Sequence, residues 1–386
     1  MLFVKRIFHP VGQGGFFTEE LRYHTAHKKN SKKRTREVFR VAYDCGSVTS
    51  KVALEKQINT FENKIFDVLF ISHFDTDHIN GLKYLLTKCV VEKVVLPAIG
   101  HDEQIRLAVM YSNNKEFSSF CADPAGYIRR ASRNGEGTKI IFVKPYTGEG
   151  SGEELDLDEE PSSSITTIDS GRIIKKKNLS LPWVYIPFNF EGENRAAEVA
   201  KTLGSMGVSI KTGQDLKNYL DDPNPKVKDD IIKAFKKIKG GPNTNSLTLY
   251  SGPDLDEQRQ ICWLVNIESK NFFHSCSRNP ACIYLGDYDA GGGRKWRQLY
   301  ENFESYWHYV GTIQIPHHGA KKNFNEKLCD NTSMFCVIAS GLDNRYKHPH
   351  PDTLKSILNS KGMPILVNES DHSICHFEIR SWVRQK

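Results

Sequence analysis

Long hydrophobic runs are missing from this sequence. No stretch approaches the roughly 20 apolar residues that a membrane-spanning helix needs. The start, Met1-Leu2-Phe3-Val4-Lys5-Arg6, lacks a signal-peptide core, so the expectation is a cytoplasmic protein without membrane contact. Nine cysteines are scattered with no C-x-x-C pair, which argues against zinc ribbons and a disulfide framework and for reduced, mostly buried thiols. There is no repeat at a solenoid period, and no Ser-His-Asp or Cys-His arrangement supplies a protein nucleophile. Material for a core is plentiful: 39% of residues are hydrophobic and 11% aromatic, so the chain is not disordered. Its 386 residues hold one large domain with an insertion, or two domains.

The net charge of +7 is uneven. Residues 1–40 carry ten lysines and arginines against three glutamates, which accounts for the whole excess. The densest part is His27-Lys28-Lys29-Asn30-Ser31-Lys32-Lys33-Arg34-Thr35-Arg36. Such a stretch either attracts phosphates or is a solvated hairpin tip.

The most telling segment is Ser72-His73-Phe74-Asp75-Thr76-Asp77-His78-Ile79-Asn80-Gly81-Leu82. The apolar Asp67-Val68-Leu69-Phe70-Ile71 leads in and an amphipathic stretch leads out, which predicts strand, loop and helix. Four metal-capable side chains fall within six residues. Without a cation the two carboxylates would repel, whereas a divalent ion makes them ligands. The alternative is a polar turn in which Asp77 caps the helix.

Around this loop, 8–17 and 38–47 read as paired strands, 90–99 and 138–143 as strands, and 103–113 and 115–132 as helices. Residues 147–171 are polar and acidic and read as a flexible excursion. A strand at 183–190 and helices at 194–220 and 226–239 follow. Later strands end in Gly286-Asp287, in Pro316-His317-His318-Gly319 and in a segment carrying Asn344-Arg345-Tyr346-Lys347-His348-Pro349. Adjacent histidines rarely serve packing, whereas a lone Gly-Asp is usually a turn.

His73-x-Asp75-x-Asp77-His78 resembles the signature loop of the metallo-β-lactamase fold, with Asp75 where most relatives carry histidine. The variant is similar to the hydrolase domain of ComEC-type DNA-uptake channels. Val11-Gly12-Gln13-Gly14, Asp44-Cys45-Gly46, Asn245-Ser246-Leu247, Gly286-Asp287, Pro316-His317-His318-Gly319 and Asn344-x-Tyr346-x-His348-Pro349 resemble its other motifs in order. The resemblance implies an α/β fold, a metallo-β-lactamase-type αββα sandwich with an inserted segment. Its halves would be 1–146 and 243–386, with 147–242 inserted. It further implies two divalent ions, with His73 and Asp75 on one, Asp77 and His78 on the other, and Asp287 bridging. One of His317 and His318 would complete the second site. Asp44 would orient the loop from behind, and Asn245, Arg345 and Tyr346 would contact substrate. A histidine usual upstream of Gly-Asp has no counterpart in Asn243-Thr244-Asn245-Ser246. The oxygen-rich first site makes Mn²⁺ at least as suitable as Zn²⁺.

The expected function is a metal-dependent hydrolase, a nuclease or phosphodiesterase cleaving DNA or RNA with a hydroxide activated by two metals. Asp77 and His348 would carry the chemistry, His348 by protonating the leaving oxygen. The alternatives are a carbonyl or small phosphoester hydrolase (lactonase, thioesterase, cyclic-nucleotide esterase) and a metal-stabilised interaction subunit with a protein partner on 147–242. The channel of the DNA-uptake proteins has no counterpart, so a stand-alone relative is expected.

Overall fold

The computed structural model describes residues 2–24, 36–148, 154–159, 163–176, 183–190, 196–207, 215, 218, 225–235, 246–255, 261–269, 276–277, 279–330 and 334–383. The basic stretch 28–35 and the candidate substrate contact Asn245 lie outside them.

Two mixed sheets form the frame. The first runs from Cys276–Ser277 through Ile261–Ser269, Cys375–Val383, Leu2–Phe8, Gly14–His24, Arg36–Ser47, Ile65–Phe70, Val90–Pro97 and Lys139–Val143 to Ile165–Ile168. The second runs from Met363–Val367 through Phe335–Ala339, Val310–Gln314, Ala281–Tyr284, Leu247–Pro253, Trp183–Asn189 and Ile173–Lys175 to Glu154–Asp156. Period-two alternation explains the first sheet. Leu2, Val4 and Phe8 face one way along their strand and meet Phe17, Leu21, Leu249, Tyr284 and Val337 in a core between the sheets. On the other side of the first sheet, Leu54, Ile58, Leu85, Ile105 and Phe120 from helices make a second core. A third lies outside the second sheet, where Leu299, Phe303 and Ile357 pack from helices. The order is therefore helix, sheet, sheet, helix. Among the described residues no helix is long and apolar enough to cross a membrane.

The structure departs from the sequence expectations in three places. Residues 8–17 are not one strand: Phe8 ends Leu2–Phe8, the chain turns, and Gly14–His24 returns with Phe17 opposite Phe8. The helix expected over 115–132 is two, Lys115–Ala122 and Pro124–Ala131, because Pro124 cannot continue the first. Asp123 between them caps the second by accepting from the Gly126 amide.

The third departure concerns 147–171. This acidic stretch carries the strands Glu154–Asp156 and Ile165–Ile168; the latter pairs parallel to Lys139–Val143. Trp183–Asn189, also within 147–242, is buried at every position and pairs along its length with Leu247–Pro253. The described part of this region thus supplies strands to both sheets, since short apolar runs inside a polar average suffice for a ladder. Of the helices expected there, Ala196–Ser205, closed by a turn at 206–207, and Pro225–Phe235 are described, and they place Val199, Leu203 and Phe235 in the second core; 236–239 lie outside the described residues.

Candidate metal centre

Four strand ends converge at one edge of the molecule, where ligands commonly bind in α/β sheets. Ile65–Phe70 leads into the loop with His73, Asp75, Asp77 and His78; Ala281–Tyr284 leads to Asp287. Val310–Gln314 leads to His317 and His318, and Phe335–Ala339 to the segment that ends at His348. Close backbone approach seats the first loop. A Cβ on Gly14 would lie 2.4 Å from the Asp77 carbonyl oxygen, and one on Gly46 would lie 2.5 Å from it, so both strands need glycine there. Gln314 fixes the second loop: its Oε1 accepts from the Leu285 and Gly286 amides at 2.8 and 2.7 Å. Asp44, His317, His318 and Lys347 all have left-handed φ values, between 48° and 58°, so backbone strain collects at this edge.

Asp77, His78, Asp287 and His318 bring one ligand atom each to within 4.8 Å of one another and can hold a metal ion. The hydrogen bonds behind the rings decide what the rings present. His78 Nδ1 is 2.7 Å from Asp44 Oδ2, an acceptor, so Nδ1 carries the proton. His318 Nδ1 donates to the Ala339 carbonyl at 2.7 Å. Ser72 Oγ donates to Asp44 Oδ2 and so accepts from His73 Nδ1, at 2.9 Å. Each neutral ring then points a bare Nε2 inward. His78 Nε2 is 3.2 Å from Asp287 Oδ1, and His318 Nε2 is 3.0 Å from Asp77 Oδ2. A lone pair facing a carboxylate oxygen at that range is repulsive unless a cation lies between them.

Protons are one answer. Burial opposes charging His78 and His318, yet Asp287 and Asp77 push both up, His78 strongly and with help from Asp44. Asp287 sits well below the usual carboxylate range, because His78 and His318 outweigh the burial that would neutralise it. A divalent ion answers the same repulsion without charging buried rings. Buried Nε2 atoms of His73 and His78 lack hydrogen-bond partners, and each Nδ1 is fixed from behind, as in histidines that ligate metals. The residues fit a metal.

Asp287 faces two ways. Its Oδ1 is turned to His78 and His318, while Oδ2 lies 3.7 Å from His73 Nε2 and 3.6 Å from His317 Nδ1. His318, not His317, belongs to the group with Asp77 and His78. Asp75 stands apart from it: its Oδ1 caps the short helix Thr76–Ile79 at 2.8 Å from the Thr76 amide and accepts from Tyr111 Oη at 2.7 Å. The helix cap is therefore Asp75, whereas the sequence alternative placed it at Asp77. Asp44 is fully buried and also accepts from the Ser72 amide at 2.7 Å.

The cluster opens into a cleft of about 880 Å³ lined by Asp75, Asp77, Asp287, Asp343, Arg345 and Glu369 among others. Tyr346 lines it too. Asn344 clamps His348 at both backbone polar groups, accepting from its amide and donating to its carbonyl, each at 2.7 Å. Burial, then His318 and His317, push His348 down to about 4. That environment favours a neutral ring, which can donate a hydrogen bond. The chain matches no protein-family model and no curated protein.

Ser72, Gln314, Tyr111 and Ser246 hold the site without having been assigned roles from sequence. Ser246 Oγ lies 3.3 Å from His73 Nδ1 and accepts from the Asp287 amide at 3.2 Å. Ser72, beside His73 in the loop, and Ser246, within Asn245-Ser246-Leu247, carried a readable signal. Gln314 and Tyr111 join the site through tertiary packing.

Proposed function

We propose that this chain is a metal-dependent phosphodiesterase of the metallo-β-lactamase type, acting on nucleic acid with two divalent ions. One observation carries the reading: Asp287 turns one oxygen to His78 and His318 and the other to His73 and His317. With that split, Asp287 would be available to hold more than one divalent ion. Asp77 would complete one donor set, and the loop that holds Asp75 borders the other. With four imidazoles in reach, the donors suit Zn²⁺ as well as Mn²⁺. Such ions supply Lewis acidity at phosphorus and acidify water near pH 7.

The chain's own groups do the rest. Asp44 and Ser72 lock the ring orientations of His78 and His73, so the donors need no rearrangement. Water adds to phosphorus, the ester P–O bond breaks and the leaving oxygen takes a proton. His348, with its backbone clamped by Asn344 and its buried Nδ1 without a partner, is placed to hydrogen-bond that oxygen. Arg345 is the cation of the cleft lining and can hold a phosphate.

The acidic lining favours a second reading, a carbonyl-ester hydrolase for uncharged substrates. The purified protein, stripped by chelator and reloaded with Mn²⁺ or Zn²⁺, is tested on plasmid, single-stranded DNA and RNA beside chromogenic carboxyl esters. Metal-restored cleavage of nucleic acid is expected. Restored hydrolysis of carboxyl esters alone would overturn the reading.

A further inference from the structure

The mouth of the cleft is apolar and aromatic where a phosphate-binding rim would be basic. Tyr346 is 55% exposed, Val48 56% and Leu342 65%, and apolar surface gathered at a ligand-binding groove marks an interaction site. Val48 and Tyr346 line the cleft, and Leu342 precedes the lining residue Asp343. The Arg345 guanidinium lies over the Tyr346 ring, 4.7 Å from its centroid, and donates to the Tyr346 hydroxyl. Left-handed backbone at Lys347 turns the chain so that two rings two residues apart lie face to face. Tyr346 and His348 stack at 5.7 Å and 22°, and His348 and His318 at 6.4 Å and 22°. A ladder of near-parallel rings thus descends from solvent to the metal cluster.

Charge points the same way. Outside the metal cluster, Asp343 and Glu369 line the cleft against Arg345, so the side chains of its rim give a polyanion little electrostatic hold. What the rim offers is flat surface. Bases stack on aromatic rings and on guanidinium planes, and only bases freed from a duplex can do so. A cleft of about 880 Å³ has room for a nucleotide.

We propose that Tyr346 and the Arg345 guanidinium form a stacking platform for an unpaired nucleobase, so that the cleft takes single-stranded or frayed nucleic acid in preference to duplex. The proposal rests on the phosphodiesterase reading and adds the strand state of the substrate. The base continues the ring ladder outward while its phosphodiester reaches the cluster below.

The test uses the full chain with Mn²⁺ and three end-labelled substrates: a single-stranded oligonucleotide, the same sequence as blunt duplex, and an oligomer of equal length whose residues are abasic tetrahydrofuran. The parent protein should cleave the single strand at least about ten-fold faster, by kcat/KM, than either of the others. Tyr346→Ala should shrink the preference over the abasic oligomer to about two-fold or less, and Tyr346→Trp should retain it. Tyr346 is exposed, so these variants are expected to fold. Equal cleavage of normal and abasic oligomers by the parent overturns the platform. So does an equal loss on both substrates in Tyr346→Ala, which would assign Tyr346 to positioning His348. Hydrolysis of chromogenic carboxyl esters with no cleavage of any oligomer would instead sink the phosphodiesterase reading, and the platform with it.

Discussion

Arg6 and Glu19, between the two sheets, and Asp77, His78, Asp287 and His318, at the strand ends, are both ionisable clusters largely withdrawn from water. They are satisfied differently. Arg6 and Glu19 sit opposite each other in register, with Arg6 Nε 2.7 Å from Glu19 Oε1. Tyr284 and Tyr185 hydroxyls donate to the two Glu19 oxygens at 2.9 and 3.0 Å, and Ser251 Oγ donates at 2.6 Å. Arg6 spends further donors on the Pro280 and Ser251 carbonyls. Every charge in that cluster meets its complement within the protein. At the strand ends, buried ring nitrogens face carboxylate oxygens with no protein group between them, and each pair closes by taking up a proton or a metal ion. A buried charge network that closes on itself serves the fold; one left open serves a ligand.

The difference can be broken from either side. Arg6→Met should cost the most stability, about 3–5 kcal/mol in denaturant unfolding, because it strands the Glu19 carboxylate between the sheets. The loss should be the same with chelator as with metal.

Asp287→Asn should do the reverse. Metal at a hundred times its Kd is expected to stabilise the parent by about 2.7 kcal/mol. In the variant that gain should vanish, because the amide is a poor metal ligand where the carboxylate faces four imidazoles. Thermal melts with and without Mn²⁺ or Zn²⁺ read the difference; a metal-dependent gain equal to the parent's would contradict the open-cluster view.

A third buried group sharpens the contrast by titration. His9, between Gln57 Oε1 and Thr18 Oγ1, is pushed down to about 3 by burial. Between that value and about 6.5 the unfolded chain binds a proton there and the native one does not. Its stability contribution is therefore complete above pH 6.5 and falls on acidification, by about 2 kcal/mol at pH 5. His9→Gln should flatten that part of the stability–pH curve. An unchanged slope would assign the acid sensitivity to other groups.

Tyr111→Phe is the smallest perturbation, about 1 kcal/mol, for one hydrogen bond to Asp75. It should leave the chelated melt nearly unchanged. A loss of several kcal/mol would make Tyr111 part of the fold rather than a support for the cleft.

What could be read from sequence was what lies side by side in it. His73, Asp75, Asp77 and His78 share one loop, so their joint chemistry shows in a few letters. Each later cluster followed an apolar run, which placed it at a strand end. Arg6 and Glu19 gave no such sign: each stands in an adjacent pair of like charges, Lys5-Arg6 and Glu19-Glu20, which looks solvent-facing, and only the second sheet covers them. Tyr111 reads as one more helical aromatic, and its reach to Asp75 depends on how the helix His101–Met110 is laid across the sheet. Strands in 147–171 were hidden by an acidic average. The surroundings of His348 were equally hidden, since sequence does not show how many imidazoles crowd a ring.

The strand Leu2–Phe8 lies between Gly14–His24 and Cys375–Val383 in the first sheet. During synthesis Gly14–His24 follows it at once, whereas Cys375–Val383 comes only after every other strand described in the two sheets. Ile261–Ser269 joins the sheet through that same late strand. A chain stopped short would keep an apolar strand edge open to other chains, a known route to aggregation. Closure of the sheet at this seam thus removes the edge at which one copy could join another.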